Sequence, residues 1–350
     1  MATGAPERGP GTEAGVAALD EFSLIARYFD RPGAERQGVG DDCALIDVGG
    51  TTLALTSDML VEGVHFLPGA DPRLLGHKAL AVNLSDLAAA GARPRCFLLA
   101  LALPRADESW LAAFSRGLFA LAAEHDCTLI GGDTTRTPPA QAGGAQRGPL
   151  TICITAIGEV AVATYCGRAG ARPGDDIWVS GCLGEAALGL AMRRGEIDCD
   201  AMEIAPSHRD ACLLRMDRPT PRVALGRALA GCATACIDVS DGLVGDLGHI
   251  LARSGVGAEL RWADIPRPGW IQNLDIATQH RTVLAGGDDY ELLFCARAAD
   301  RTRVAALAAP ELAVSRIGTI ESAPGLRLRN GDGTLLKTTL QAYDHFASGP

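Results

Sequence analysis

The chain has 350 residues, 47% of them hydrophobic, with 42 acidic against 32 basic side chains and a formal charge of −10, enough apolar content for one large core or two modest ones. That balance excludes a disordered acidic tail and works against unaided binding to nucleic acid or an anionic membrane. Only two of the basic residues are lysines, Lys78 and Lys337, so an anionic substrate would have to be held by arginine, backbone donors or bound cations.

In chain order, the first eighteen residues, rich in Ala, Gly, Pro and Thr, lack the apolar stretch of a secretory signal and read as a disordered extension. Glu21–Phe29 reads as a short helix stopping before Arg31-Pro32-Gly33, and Cys43–Val48 and Thr52–Ser57 as strands around Gly49-Gly50. Pro72–Ala90 carries Leu75, Ala79, Val82 and Leu87 near helical spacing and is closed by Gly91 and Pro94. The apolar run Cys96–Leu103 ends at Pro104 and reads as a buried strand, far short of the roughly 20 residues of a membrane helix. Glu108–His125 follows as an amphipathic helix, Thr128–Ile130 as a short strand into Gly131-Gly132-Asp133, and Leu150–Val160 as a strand after a polar surface loop at 138–148.

The Gly- and Pro-rich run from Gly167 to Asp175 precedes a strand at Ile177–Ser180 and places a domain boundary at about residue 160. The expected organisation is thus an extension at 1–18, an α/β domain at 19–159 and a second α/β domain at 160–350. The second domain continues with helices at Leu183–Arg193, Pro221–Leu229 and Leu243–Ser254, a strand ending at Asp238 and another at Tyr290–Cys295. No repeat of solenoid period is present. Eleven cysteines without paired spacing fit reduced thiols and a cytoplasmic location, Cys232 and Cys236 being the one spacing that hints at a metal.

Acidic residues recur where apolar segments end. Gly38-Val39-Gly40-Asp41-Asp42 places two carboxylates side by side; on a regular strand they would point to opposite sides, so both serve one site only if the glycines let the loop turn. Thr56-Ser57-Asp58 leads on to Glu62 and His65, Asp86 sits on the predicted helix beside Ser85, and Asp133 stands just beyond the short strand. Asp238-Val239-Ser240-Asp241-Gly242 and Gly286-Gly287-Asp288-Asp289-Tyr290-Glu291 repeat the theme. Singly, each reads equally well as an Asp-rich turn. Gathered in one cleft, they would repel one another and call for hard cations, magnesium above all. Calcium lacks its spaced EF-hand loop, and a dinuclear transition-metal centre would ask for more than the seven histidines present. Lys78 has neither the preceding glycine pattern nor the following hydroxyl of a P-loop, no protein-kinase catalytic loop appears, and Gly38-Val39-Gly40 lacks the third glycine of a dinucleotide fingerprint.

Together, Gly38–Ala44, Ser57–Phe66, Gly131–Thr135, Asp238–Leu243 and Gly287–Leu292 resemble the thiamine-monophosphate kinase family, and Tyr343-Asp344-His345-Phe346 adds to the likeness. The resemblance spans roughly Glu21 to Phe346. It implies an α/β (α+β), two-domain fold of the aminoimidazole ribonucleotide synthetase-like superfamily, with N-terminal sheets forming a barrel across a homodimer. The implied reaction is Mg-dependent transfer of the γ-phosphoryl group of ATP to thiamine monophosphate. By this resemblance Asp41, Thr56, Ser57, Asp58, Asp86, Asp133, Asp238 and Asp241 surround several Mg2+ ions. Gly132, Arg168 and Ser240 assist ATP, and His65, Asp288 and Tyr343 face thiamine monophosphate. A general base is unnecessary, because a phosphate monoester with a second pKa of about 6 is already largely dianionic near neutrality. Ala342 replaces the family's usual glycine before Tyr343. Two alternatives share the same nucleotide cleft: an amidine- or selenophosphate-forming relative, and a noncatalytic nucleotide-binding module.

Overall fold

The structure, a computed structural model, describes residues 21–29, 40–138 and 148–336. The expected extension at 1–18, most of the expected loop at 138–148, and Tyr343 lie outside them. The first half runs α1 (Glu21–Tyr28), β1 (Ala44–Val48), β2 (Thr51–Val61), α2 (Pro72–Ala89), β3 (Arg93–Leu103), α3 (Glu108–Glu124), β4 (Thr128–Arg136) and β5 (Thr151–Glu159). Its strands form one sheet in the order β1-β2-β5-β3-β4, antiparallel except for the β3/β4 pair.

The second half contributes β6 (Asp176–Ser180), α4 (Glu185–Arg193), α5 (Pro206–Asp217), α6 (Val223–Ala228), β7 (Ala233–Asp238), α7 (Leu243–Ser254), β8 (Gly257–Arg261), α8 (Ile276–Leu284), β9 (Leu292–Ala296), α9 (Arg301–Ala305), β10 (Val314–Glu321) and β11 (Gly325–Arg329). Here the sheet order is β11-β8-β10-β6-β9-β7, and only β11/β8 is parallel. The result is a two-part α+β architecture with mixed sheets. Within one chain the first sheet is open, with β1 and β4 at its edges, and no closed sheet is seen among the described residues.

Local signals explain where the helices start. Asp71 caps α2, its carboxylate accepting from the N–H groups of Arg73 and Leu74 at 2.8 and 3.1 Å, with Pro72 in the first turn. Asp107 and Asp275 cap α3 and α8 in the same way. The expected amphipathic pattern of α2 gives way to something stronger: every residue from Leu75 to Ala89 except Asp86 is buried. The cause is packing on all sides, by α3, by β2 and β5, and by α6 and β7 of the second half. At Gly226 of α6 a Cβ would meet the carbonyl oxygen of Ala88 at 1.9 Å, so the halves touch backbone to backbone there.

The hydrophobic core reflects this contact. One cluster joins Leu80, Leu84, Phe97 and Ile154 of the first half to Val223, Leu225, Tyr290 and Phe294 of the second, and another fills the second half around Ile177, Leu247, Ile250, Leu293 and Ile317.

Candidate active site

A cavity of about 690 Å3 lies between the two halves. Its long wall is α2, which presents Leu74, Lys78, Val82 and Asp86 to it at four-residue steps, the spacing that stacks side chains along one helix face.

At the Asp86 end three carboxylates converge. Oxygen atoms of Asp42, Asp86 and Asp238 lie within 4.8 Å of one another. Asp42 comes from the loop before β1, where Gly40 at φ +103° makes a turn that other residues rarely adopt. Asp238 ends β7 and accepts a 2.5 Å hydrogen bond from Ser85 Oγ, while Asp86 accepts one from Thr56 Oγ1 of β2. Asp58 lies two residues further along β2 and thus on the same face, and its backbone N–H donates to Asn83 Oδ1 at 3.3 Å.

One guanidinium answers this concentration of charge. Arg168 donates from Nε and Nη2 to Asp42 Oδ1 at 3.2 and 2.6 Å, and its backbone N–H donates to Asp41 Oδ1 at 3.2 Å. It does not suffice. Burial, opposed by Arg168, pushes Asp42 up to about 6; burial together with the neighbouring carboxylates pushes Asp58 to about 6 and Asp238 to about 8, and holds Asp86 well above the usual carboxylate range. Asp41 Oδ2 and Asp42 Oδ2 are buried without a hydrogen-bond partner among the described residues. An all-oxygen donor set, short of positive charge and with orphaned buried oxygens, fits a hard divalent cation.

At the Lys78 end the cavity is bounded by the loop before β9. Asp288 N–H donates to Ser240 O and Tyr290 N–H to Val239 O, both at 2.8 Å, so this loop lies alongside the segment that follows β7. Asp288 and Tyr290 take φ values of 67° and 50°. Lys78 Nζ donates to Asp288 Oδ2 at 2.9 Å and to Met216 O at 3.1 Å, and Tyr290 Oη donates to Asp288 Oδ1 at 3.1 Å. His65 also lines the cavity; its Nδ1 accepts from Val61 N–H at 3.0 Å, which leaves the ring proton on Nε2.

Residues 40–160 match the family AIR synthase related protein, N-terminal domain, and residues 172–330 match AIR synthase related protein, C-terminal domain. The thiamine-monophosphate kinase of Salmonella typhimurium is 42% identical over 342 residues, covering 95% of this chain and 99% of that protein. The chain belongs to the thiamine-monophosphate kinase family. Two solved structures of the family bear this out. The Stenotrophomonas maltophilia enzyme is 43% identical with a TM-score of 0.73, covering 86% of this chain and 92% of its own. The structure "AaThiL complexed with AMPPCP and TMP" is 30% identical with a TM-score of 0.77, covering 94% and 97%.

Of the residues that the thiamine-monophosphate kinase resemblance singled out, Asp41, Thr56, Ser57, Asp58, Asp86, Asp238, Asp241, Arg168, Ser240, His65 and Asp288 all line the one cavity. Ser57 does so on the far side of its strand, with its hydroxyl 2.9 Å from Thr155 Oγ1. Gly132 and Asp133 are not brought there. They do not follow a short strand but lie within β4, an exposed edge strand that continues through the glycines because β3 pairs with it as far as Arg136. Tyr343 is outside the described residues.

Sequence reasoning left out Asp42, Ser85 and Lys78. Asp42 stands beside Asp41 in the Gly38–Ala44 segment, and adjacency alone does not say that both turn to the cavity. Lys78 has no P-loop context, and its signal is the eight-residue interval to Asp86, about two helical turns along one face. The spaced cysteines Cys232 and Cys236 are both buried, and Cys232 Sγ donates to Leu229 O.

Proposed function

We propose that the protein is an ATP:thiamine-phosphate phosphotransferase that converts ATP and thiamine monophosphate to ADP and thiamine diphosphate, as a cytoplasmic homodimer using several Mg2+ ions. The family relationship supports the reaction, and the convergence of Asp42, Asp86 and Asp238 at one end of the cavity is the observation that carries the chemistry. Among the described residues no helix is long and apolar enough to cross a membrane.

Asp42, Asp86 and Asp238 would hold magnesium, with Asp41, Thr56, Asp58 and Asp241 close by in the same wall. Bound there, the ions supply positive charge against the carboxylates and the phosphates and stabilise charge on the group in transfer. Arg168, kept cationic by Asp42 against the cost of its burial, can fork onto a phosphate of ATP, with Ser240 beside it. His65, its Nε2 protonated, donates toward the acceptor phosphate, and Asp288 faces the cationic thiazolium. An acceptor phosphate oxygen attacks the γ-phosphorus in line, the bond from that phosphorus to the β,γ-bridging oxygen breaks, and ADP departs with the electron pair. No side chain is phosphorylated.

The dimer reading draws on the first sheet's open face. Ile46, Val48, Met59, Leu98 and Ile130 are exposed, and β4 leaves a long edge unpaired. A second copy covering that face would complete a barrel and surround Gly132, Asp133 and Ser57, so that Gly132 and Asp133 need not meet the cavity within one chain. The domain boundary near residue 160 belongs to the same reading.

Purified protein incubated with ATP, Mg2+ and thiamine monophosphate should form ADP and thiamine diphosphate in equal amounts. Tight ATP binding without transfer would favour a nucleotide-binding module, and turnover with another acceptor alone would favour a different enzyme of the superfamily. A phosphorylated side chain trapped in single turnover would overturn direct transfer.

A further inference from the structure

We infer that Lys78 is a positioning residue that clamps Asp288 and so holds the acceptor end of the cavity in register with the acidic cluster. The inference rests on the proposed reading of Asp288 as a contact for thiamine monophosphate.

Lys78 is 5% exposed, in a chain that uses arginine for thirty of its 32 basic residues. An ammonium is costly to bury, and an ion pair of this kind adds little stability over an apolar side chain of similar size. A core built for stability alone would do as well with methionine. What the lysine provides is a compact charge with three donors, and two of them have identified acceptors, Met216 O at the end of α5 and Asp288 Oδ2. The other carboxylate oxygen of Asp288 accepts from Tyr290. Both oxygens are therefore fixed, one by each half of the molecule.

The backbone says the same. Asp288 and Tyr290 both occupy the left-handed region, which is unfavourable for a residue with a Cβ and persists only where surrounding contacts hold it. Lys78 and the Tyr290 hydroxyl are among those contacts, beside the backbone bonds from Asp288 to Ser240 and from Tyr290 to Val239. Lys78 is also eight residues before Asp86 on a buried, continuous helix, an axial separation of about 12 Å. Ser85, beside Asp86, holds Asp238. One rigid element thus fixes the acceptor carboxylate at one point and two of the three clustered carboxylates at another, setting the distance between acceptor and metal before either substrate arrives.

The test uses steady-state kinetics of the full-length protein with Mg2+, ATP and thiamine monophosphate, comparing wild type, K78M, K78R, D288N and K78M/D288N. K78M should raise the KM for thiamine monophosphate by about tenfold or more, the scale of one charge-assisted hydrogen bond, and leave the KM for ATP within about twofold. K78R, which keeps the charge but not its compact geometry, should raise the acceptor KM in the same selective way and guards against a K78M variant that does not fold. The double variant should be no worse than D288N, since Lys78 acts through Asp288. Equal changes in both KM values, an acceptor KM unchanged in K78R, or effects that multiply in the double variant would each overturn the inference. Wild-type protein that fails to phosphorylate thiamine monophosphate removes the functional reading and the inference with it, whereas wild-type turnover with an unaltered acceptor KM in the Lys78 variants removes the inference alone.

Discussion

Two buried acidic centres in this molecule are compensated in opposite ways. Glu291, 0% exposed, is surrounded by its own protein: Arg222 donates to both carboxylate oxygens at 2.7 and 2.5 Å, Arg215 to Oε1, and Ser180 Oγ to Oε2 at 2.5 Å. Two guanidiniums serve one carboxylate. At the cavity the charge partner of the Asp42, Asp86 and Asp238 cluster among the described residues is Arg168, paired with Asp42, and burial together with the neighbouring carboxylates raises the pKa values of all three. Asp42 and Asp238 are buried as Glu291 is, and Asp86 is half-buried. The ratio of internal cations to anions differs, and that ratio separates a structural ion pair from a site built to receive positive charge from outside.

The largest test of this contrast is Asp238→Asn. Replacing one clustered carboxylate should lower kcat/KM by about 1,000-fold, the scale of losing a group that supports charge stabilisation in the transition state. The unfolding midpoint should hold or rise, because a like-charge neighbour is gone. Activity within tenfold of wild type would erase the distinction. Glu291→Gln should act the other way, costing roughly 3–5 kcal/mol of stability by leaving Arg215 and Arg222 without their anion. Denaturant unfolding measures it, and added Mg2+ should restore none of the loss.

A smaller effect concerns pH. In the metal-free protein Asp238 is raised from 3.8 to about 8 and Asp86 is raised well above 3.8, so between the unfolded and folded values the native state holds more protons than the unfolded chain. Stability therefore falls as pH rises through this window. Near pH 6.5 buried histidines such as His77 and His249, whose pKa values burial lowers, add an opposite slope while the unfolded chain still binds their protons. Near pH 8.5 buried thiols such as Cys212 and Cys295, whose pKa values burial raises, add a slope of the same sign, so the part of the slope that Mg2+ removes is the part that belongs to the cluster. With chelator present, the melting temperature should drop between pH 6.5 and 8.5, and saturating Mg2+ should shrink the drop. Asp289, raised to about 8 by burial away from the cluster, leaves a residual slope. A higher melting temperature at pH 8.5 than at 6.5 in chelator would contradict the account.

Much of this arrangement was legible in the residues. Capped helices with Pro or Asp at their starts, such as α2 and α3, and apolar strands such as β3 and β5 declare themselves through local chemistry. The acidic motifs also pointed to one cleft, and eleven of the fourteen singled-out residues line it. What escaped depended on partners far away in sequence. Helix α5 is too polar to announce itself, β8 and β11 are five residues each and form through pairing with one another, and β4 outruns its propensity because β3 holds it. Asp289 and Glu291 stand in the same motif as Asp288 yet are fully buried, a difference that goes with the left-handed backbone at Asp288 and Tyr290 and is invisible to composition.

The core that joins Leu80 and Phe97 to Val223 and Phe294 also bears on how the molecule comes apart. Two family matches divide the chain at about its midpoint, but α2 is buried by both halves at once, and neither can cover it alone. Unfolding either half would expose the other's apolar surface, so the cooperative unit is the whole chain. Heat or denaturant should remove the cavity's two ends together in a single transition, and a gene split near residue 160 should yield fragments that gain structure only when combined.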